Sequence, residues 1–316
     1  MTGRLHWLGA PAVAGVFLCA ALLAGCATPQ VARLDAHWPP DLAVRVELEN
    51  VPFFPQEDYE CGPASLAMVA GAAGVQVLPQ ALVEQVYLPG RQGSLQPEML
   101  AATRRQGLVA YPLSGQIEAV LREVAAGHPV LVFQNLAFSF SPVWHYAVVI
   151  GFDRGRNLLL LHSGRSARME MSLFAFERTW ARGQNWAMVA LPPARLPATA
   201  QAHLYTASVA TLERINPKAA KVAYLSALQA WPMDRTALLG VGNASYALGE
   251  RGAATQAYQT AVRQHPDFAE AWNNLAQVLW EQKQRREAAQ AIAKAIELGG
   301  PRLPQYQALQ HEIMKK

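Results

Sequence analysis

Cysteine is scarce in this chain, with three in 316 residues. Cys19 lies inside an apolar N-terminal run and Cys26 closes that run in "LAGC". Beyond that point only Cys61 remains, which excludes a scaffold stapled by intrachain disulfides. Metal-ligand spacing and a glycine-rich phosphate loop are also missing, so no cofactor and no metal are expected. The net charge of +4 is spread along the chain. The basic run "KQRR", Lys283 to Arg286, falls on a helical pattern and reads as a solvated face. Nucleic acid is therefore not an expected partner.

What is present begins at the N-terminus. Arg4 precedes a mostly apolar stretch from Trp7 to Ala24, a positive head before a greasy core, as in a secretory signal. Gly9, Pro11 and Gly15 interrupt it, and no charged stop follows. Leu23 to Cys26 resembles the lipobox of bacterial lipoproteins. The resemblance implies a signal peptide over 1–25 and Cys26 as the first mature residue, its thiol carrying lipid. No Asp follows Cys26, which by the same resemblance implies an outer-membrane lipoprotein facing the periplasm.

The rest divides by composition. Residues 26–45 read as a linker containing the rigid "HWPPD". A first domain spans 46–192 and opens on the strand pattern "VELENVPFF". A helix begins near Cys61, with Pro63 suited to its first turn. Helical patterns follow in "LPQALVEQVY", "QPEMLAATRRQG" and "SGQIEAVLREVAAG", the last with Ser114 as N-cap. The period then changes to strands in "HPVLVFQNL", "WHYAVVIGFD" and "NLLLLHSG", and after the helical "MSLFAFERTW" the strand "NWAMVALPP" closes the sheet. Helices before strands indicate an α+β domain.

Residues 193–201 form a proline-rich linker, and 202–316 is helical in pattern and repetitive. Leu204, Leu238 and Trp272 recur every 34 residues, as do Ala220, Ala254 and Ala288, and Tyr224, Tyr258 and Ile292. Pro232 and Pro266 keep the same spacing. That period and pattern are those of about three tetratricopeptide repeats.

Cys61 stands where a helix N-terminus would favour a thiolate and present unpaired N–H groups to an oxyanion. On this geometry it is either a nucleophile or an inert core thiol. The stretch "QEDYECGPASLAMV" resembles the cysteine box of the C39 family of papain-like peptidases. "WHYAVVIGFD", 84 residues on, resembles that family's histidine box. The resemblance covers 46–192 and implies a papain-like fold. It puts Cys61 in the nucleophile's place, His145 in the base's place and Gln56 in that of the oxyanion-stabilising glutamine. Gln56 stands five residues before Cys61, one fewer than in the papain-like pattern. The family's second strand ends in an Asp that orients the base. Here the strand reads "LLLLHSG", so His162 takes that place, with Asp153 the nearest carboxylate but part of a turn.

By the pattern of the repeat family, Asn243, Tyr246, Asn273, Gln277 and Trp280 fall on the groove-facing places. Such a groove takes a peptide or protein partner. The expected function is a lipid-anchored thiol peptidase of the cell envelope. The alternative is a non-catalytic adaptor that binds peptides and organises an envelope or secretion assembly.

Overall fold

A computed structural model describes residues 28–56 and 60–315. The segment read as a signal peptide, and Cys26, lie outside the described residues. Among the described residues, no helix is long and apolar enough to cross a membrane.

The segment read as a linker holds a helix, α1 (Pro29–Ala36), which buries Val31 and Leu34. Its free N-terminal donors are capped from afar: Glu177 accepts from Gln30 N at 2.9 Å and Val31 N at 2.8 Å. The opening strand is shorter than expected, β1 (Arg45–Glu47). The next elements are α2 (Cys61–Ala72), α3 (Pro79–Val86), β2 (Tyr87–Leu88), β3 (Gly93–Ser94) and α4 (Gln96–Arg105). They lead to β4 (Val109–Pro112) and α5 (Ile117–Ala125). Ser114 does not cap α5. Gln30 Oε1 accepts from Ile117 N at 2.7 Å instead, so α1 caps α5 across the fold.

The strands β5 (Val130–Asn135), β6 (Trp144–Asp153), β7 (Leu158–Ser163) and β8 (Ser166–Ser172) follow. Then come α6 (Leu173–Arg182), with Ser172 accepting from Ala175 N as its N-cap, and β9 (Ala187–Leu191). The sheet runs β4-β9-β5-β6-β7-β8, with β1 on β6, and every pairing is antiparallel. β8 is a strand the periodicity does not reveal, because its residues are mostly exposed. At Gly151 a Cβ would sit 2.6 Å from Val46 O, so only glycine lets β1 pair there.

Strand alternation gives the sheet two apolar faces. Tyr146, Val148, Ile150, Leu158 and Leu160 pack with α2, whose residues Gly62 to Ala70 are all buried. Ala147, Val149, Leu159 and Leu161 pack on the other face with α1, α5 and α6.

The C-terminal region is helical: α7 (Ala202–Glu213), α8 (Pro217–Ala230), α9 (Arg235–Ala247), α10 (Arg251–Gln264), α11 (Ala269–Glu281), α12 (Arg285–Leu298) and α13 (Leu303–Met314). Three helix pairs are thus followed by one further helix, which buries Tyr306 and Ile313 against the last pair. The small alanines at repeat positions, among them Ala220, Ala254 and Ala288, are fully buried where helices approach. The second apolar face of the sheet continues without a break into Tyr205, Val209, Leu212 and Ala223, so the two regions share one core.

Candidate active site

Cys61 is the first residue of α2, and the residue before it, Glu60, supplies no side-chain cap. Pro63 has no N–H, so the main-chain donors of Cys61 and Gly62 head the helix without intrahelical partners. Burial raises the thiol pKa above the ordinary cysteine value, and main-chain hydrogen bonds from Tyr146, Gly62 and Cys61 pull the other way without cancelling it. The main chain of Tyr146, the residue after His145 in β6, reaches the thiol, which places Cys61 and His145 at one end of the sheet. Both line a cleft of about 870 Å³, together with Gln56, Trp144 and Arg182.

Gln56 is buried beside Cys61. Its Nε2 donates to Ser65 Oγ at 3.3 Å and to Tyr146 O at 3.5 Å, and its Oε1 accepts from Gly164 N at 3.1 Å. The two Nε2 bonds are long, so an oxyanion could replace one of them at small cost.

His162 does not orient His145. Its Nε2 meets Val51 O at 3.2 Å and its ring packs edge-on against Phe53. The cause is a β-bulge. Asp153 pairs with Leu158 and Gly151 with Leu160, but Val149 pairs with Leu161 and Val148 with His162, so β6 carries one residue more than β7. Without the extra residue His162 would share His145's face. With it, His162 turns to the α2 face and Ser163 takes its place. His145 Nε2 lies 2.9 Å from Ser163 Oγ. A bulge has no signature in an apolar strand, although Gly151 marks where one fits. Asp153 bonds Arg156 N within the turn, as a turn residue does.

Burial pulls the His145 pKa down to about 4. Among the described residues no Asp or Glu lines the cleft, while Arg91 and Arg182 do. Resting thiol and imidazole are therefore both uncharged near neutrality.

Gly62 is close-packed. A Cβ there would collide with Ser94 Oγ and sit 2.7 Å from Ser94 Cβ, on the wall of the same cleft. Gly62→Ala is expected to cost about 1–3 kcal/mol in urea denaturation, the usual cost of overpacking.

The groove-place residues of the repeats bond mainly to their own neighbours. Asn243 Oδ1 accepts from Tyr258 OH at 3.0 Å and Asn274 Nδ2 at 3.0 Å, and Asn273 Nδ2 donates to Asn274 Oδ1 at 3.1 Å. Tyr246 and Gln277 both donate to Glu281, which also pairs with Arg251. Trp280 is half-buried against the repeat core.

Residues 48–188 match the family model described as Peptidase_C39 like family, and residues 242–283 match that described as TPR repeat. No curated protein matches the chain. Among solved structures, one described as a C39-like peptidase from Bacillus anthracis matches at 21% identity and TM-score 0.39, over 46% of this chain and 97% of that one. The peptidase domain of Streptococcus ComA, a bi-functional ABC transporter, matches at 22% and 0.38, over 45% and 98%. A double glycine motif protease from an AMS/PCAT transporter, in complex with its leader peptide, matches at 21% and 0.35, over 47% and 96%. The chain carries a C39-like peptidase domain followed by a tetratricopeptide region.

Proposed function

We propose that the chain is a thiol peptidase of the cell envelope, anchored by lipid on Cys26 to the outer membrane and facing the periplasm. The observation that carries the catalytic part is Cys61 at the head of α2 in one cleft with His145. In the reaction the thiol proton passes to His145 as sulfur attacks the peptide carbonyl. The Cys61 and Gly62 N–H groups, with Gln56, receive the oxyanion. The C–N bond breaks, and the amine leaves with the proton from His145. Water then attacks the thioester, giving up a proton through His145, and the products are a carboxylic acid and the restored thiol.

The cleft also suggests a substrate. Its wall continues into the β5–β6 hairpin, where Phe138 and Phe140 are 68% and 86% exposed and stack at 5.3 Å. Asn135 ties the two arms of that hairpin together, its Oδ1 accepting from Ala137 N and Val143 N at 3.0 Å each. Apolar side chains flanking the scissile bond fit this rim. Replacing both Phe138 and Phe140 by serine should raise KM about tenfold for such a peptide and leave kcat unchanged, an effect of about 1.4 kcal/mol on uniform binding.

The test of the reading is covalent. The full chain is treated with an electrophilic peptide probe alongside Cys61→Ala and His145→Ala. Labelling at Cys61 that Cys61→Ala loses and His145→Ala suppresses supports the enzyme. Equal labelling of parent and His145→Ala leaves an ordinary accessible thiol and favours the adaptor reading, to which the uncharged resting pair also lends weight. The repeats, on either reading, would recruit a protein partner. Because the core is continuous, their role is better tested by exposed substitutions than by truncation.

A further inference from the structure

Among the described residues no carboxylate bonds His145, yet the histidine is not left without a partner. His145 sits on the β6 face of Ala147 and Val149, and after the bulge the β7 residues on that face are Leu159, Leu161 and Ser163. Ser163 is the only polar one of the three, it is buried, and its Oγ lies 2.9 Å from His145 Nε2.

We propose that Ser163 is the positioning residue of this site: its hydroxyl accepts the Nε2 proton and leaves the Nδ1 lone pair as the base that serves Cys61, without supplying charge. The inference rests on the peptidase reading for its purpose, but its geometry stands apart from catalysis. A neutral imidazole has one N–H and one lone pair, and whichever nitrogen is held as donor fixes the other as acceptor. A hydroxyl can donate as well as accept; in the acceptor role Ser163 holds the Nε2–H tautomer. A carboxylate in its place would do the same and also stabilise imidazolium.

Two consequences separate this arrangement from a charged one. Proton transfer accompanies sulfur attack, because no thiolate–imidazolium pair is stored beforehand. The reactivity of the site then depends on a substrate that brings the carbonyl into line, which protects a lone thiol from adventitious electrophiles at neutral pH.

The test uses the full chain with nitrogen-15 histidine, read by NMR through pH titration, beside peptide hydrolysis. The parent is expected to show His145 as the Nε2–H tautomer. Ser163→Ala should mix the tautomers and slow hydrolysis about 3–10-fold, the loss of one neutral hydrogen bond. Ser163→Thr, which keeps the hydroxyl, should restore both readouts. Ser163→Asp should move the His145 titration up by about 1–3 pH units and raise Cys61 alkylation by iodoacetamide at pH 7. An Nδ1–H tautomer in the parent, or an unchanged tautomer and titration in Ser163→Ala, overturns the proposal. If no hydrolysis is found for any variant, the peptidase reading fails, and the NMR titration still decides the role of Ser163.

Discussion

Replacing His145 with alanine is expected to slow peptide hydrolysis about 10²–10⁴-fold, the usual range for losing a positioned general base. The same variant should react with iodoacetamide as fast as the parent once the pH is alkaline enough for hydroxide to remove the thiol proton without help. That second measurement separates loss of the base from loss of the fold. The pH dependence follows from the two shifts. Burial holds His145 down to about pH 4, so it stays neutral and able to accept a proton through the neutral range. Burial also raises the Cys61 thiol, so thiolate is scarce below the ordinary cysteine value of about 8.5. Hydrolysis by the parent should thus be level from about pH 5 to 8 and fall as pH approaches 4. Alkylation should climb only on the alkaline side. A plateau of fast alkylation at pH 5–7 would mark a stored ion pair and contradict the uncharged resting state.

The two boxes that define this site were legible in the sequence because each is carried by local pattern. Pro63 and the apolar run after Cys61 specify a buried helix start, and the β-branched run after His145 specifies a central strand. The partner of His145 was not legible. Counting back from the Asp153–Asn157 turn without a bulge puts His162 on the same face of the sheet as His145. One extra residue in β6 exchanges it for Ser163. The hairpin rim was missed for a related reason, since "LAFSFSPV" reads as apolar filler until its exposure is known. The helix inside the segment read as a linker was not legible, for want of its distant partners. A helix of eight residues such as α1 is marginal alone and forms here because Glu177 and Gln30 tie it to α6 and α5. The helical repeat, by contrast, was legible in register, because each unit's small residues must recur where its helices meet.

The linker between the two regions leads to the second large effect, expected from Glu123→Ala. Glu123 is fully buried on α5, and its carboxylate meets His128 Nδ1 at 2.7 Å. It also accepts from Thr199 N at 2.8 Å, Thr199 Oγ1 at 2.6 Å and Ala198 N at 3.1 Å. One side chain thus fastens the proline-rich segment that leads into α7. Alanine would leave a void and strand three donors away from water, and His128 with them. The expected loss is about 3–5 kcal/mol in urea denaturation at pH 7, the usual cost of removing one member of a buried pair. Burial alone would push the carboxyl pKa up, but these hydrogen bonds outweigh it and hold it below the ordinary glutamate value. The contribution is therefore fully present above about pH 4.3, where the unfolded carboxylate is charged, and is lost as pH falls through the lower folded value. The gap in stability between parent and Glu123→Ala should narrow as pH is lowered from 5 to 3. A difference under about 1 kcal/mol at pH 7 would mean that the linker carries no strain-bearing tie there. Because Tyr205 and Val209 of the first repeat share the core with Val109 and Tyr111 of β4, the parent should lose both regions in one transition, and loosening the clasp should be felt in both.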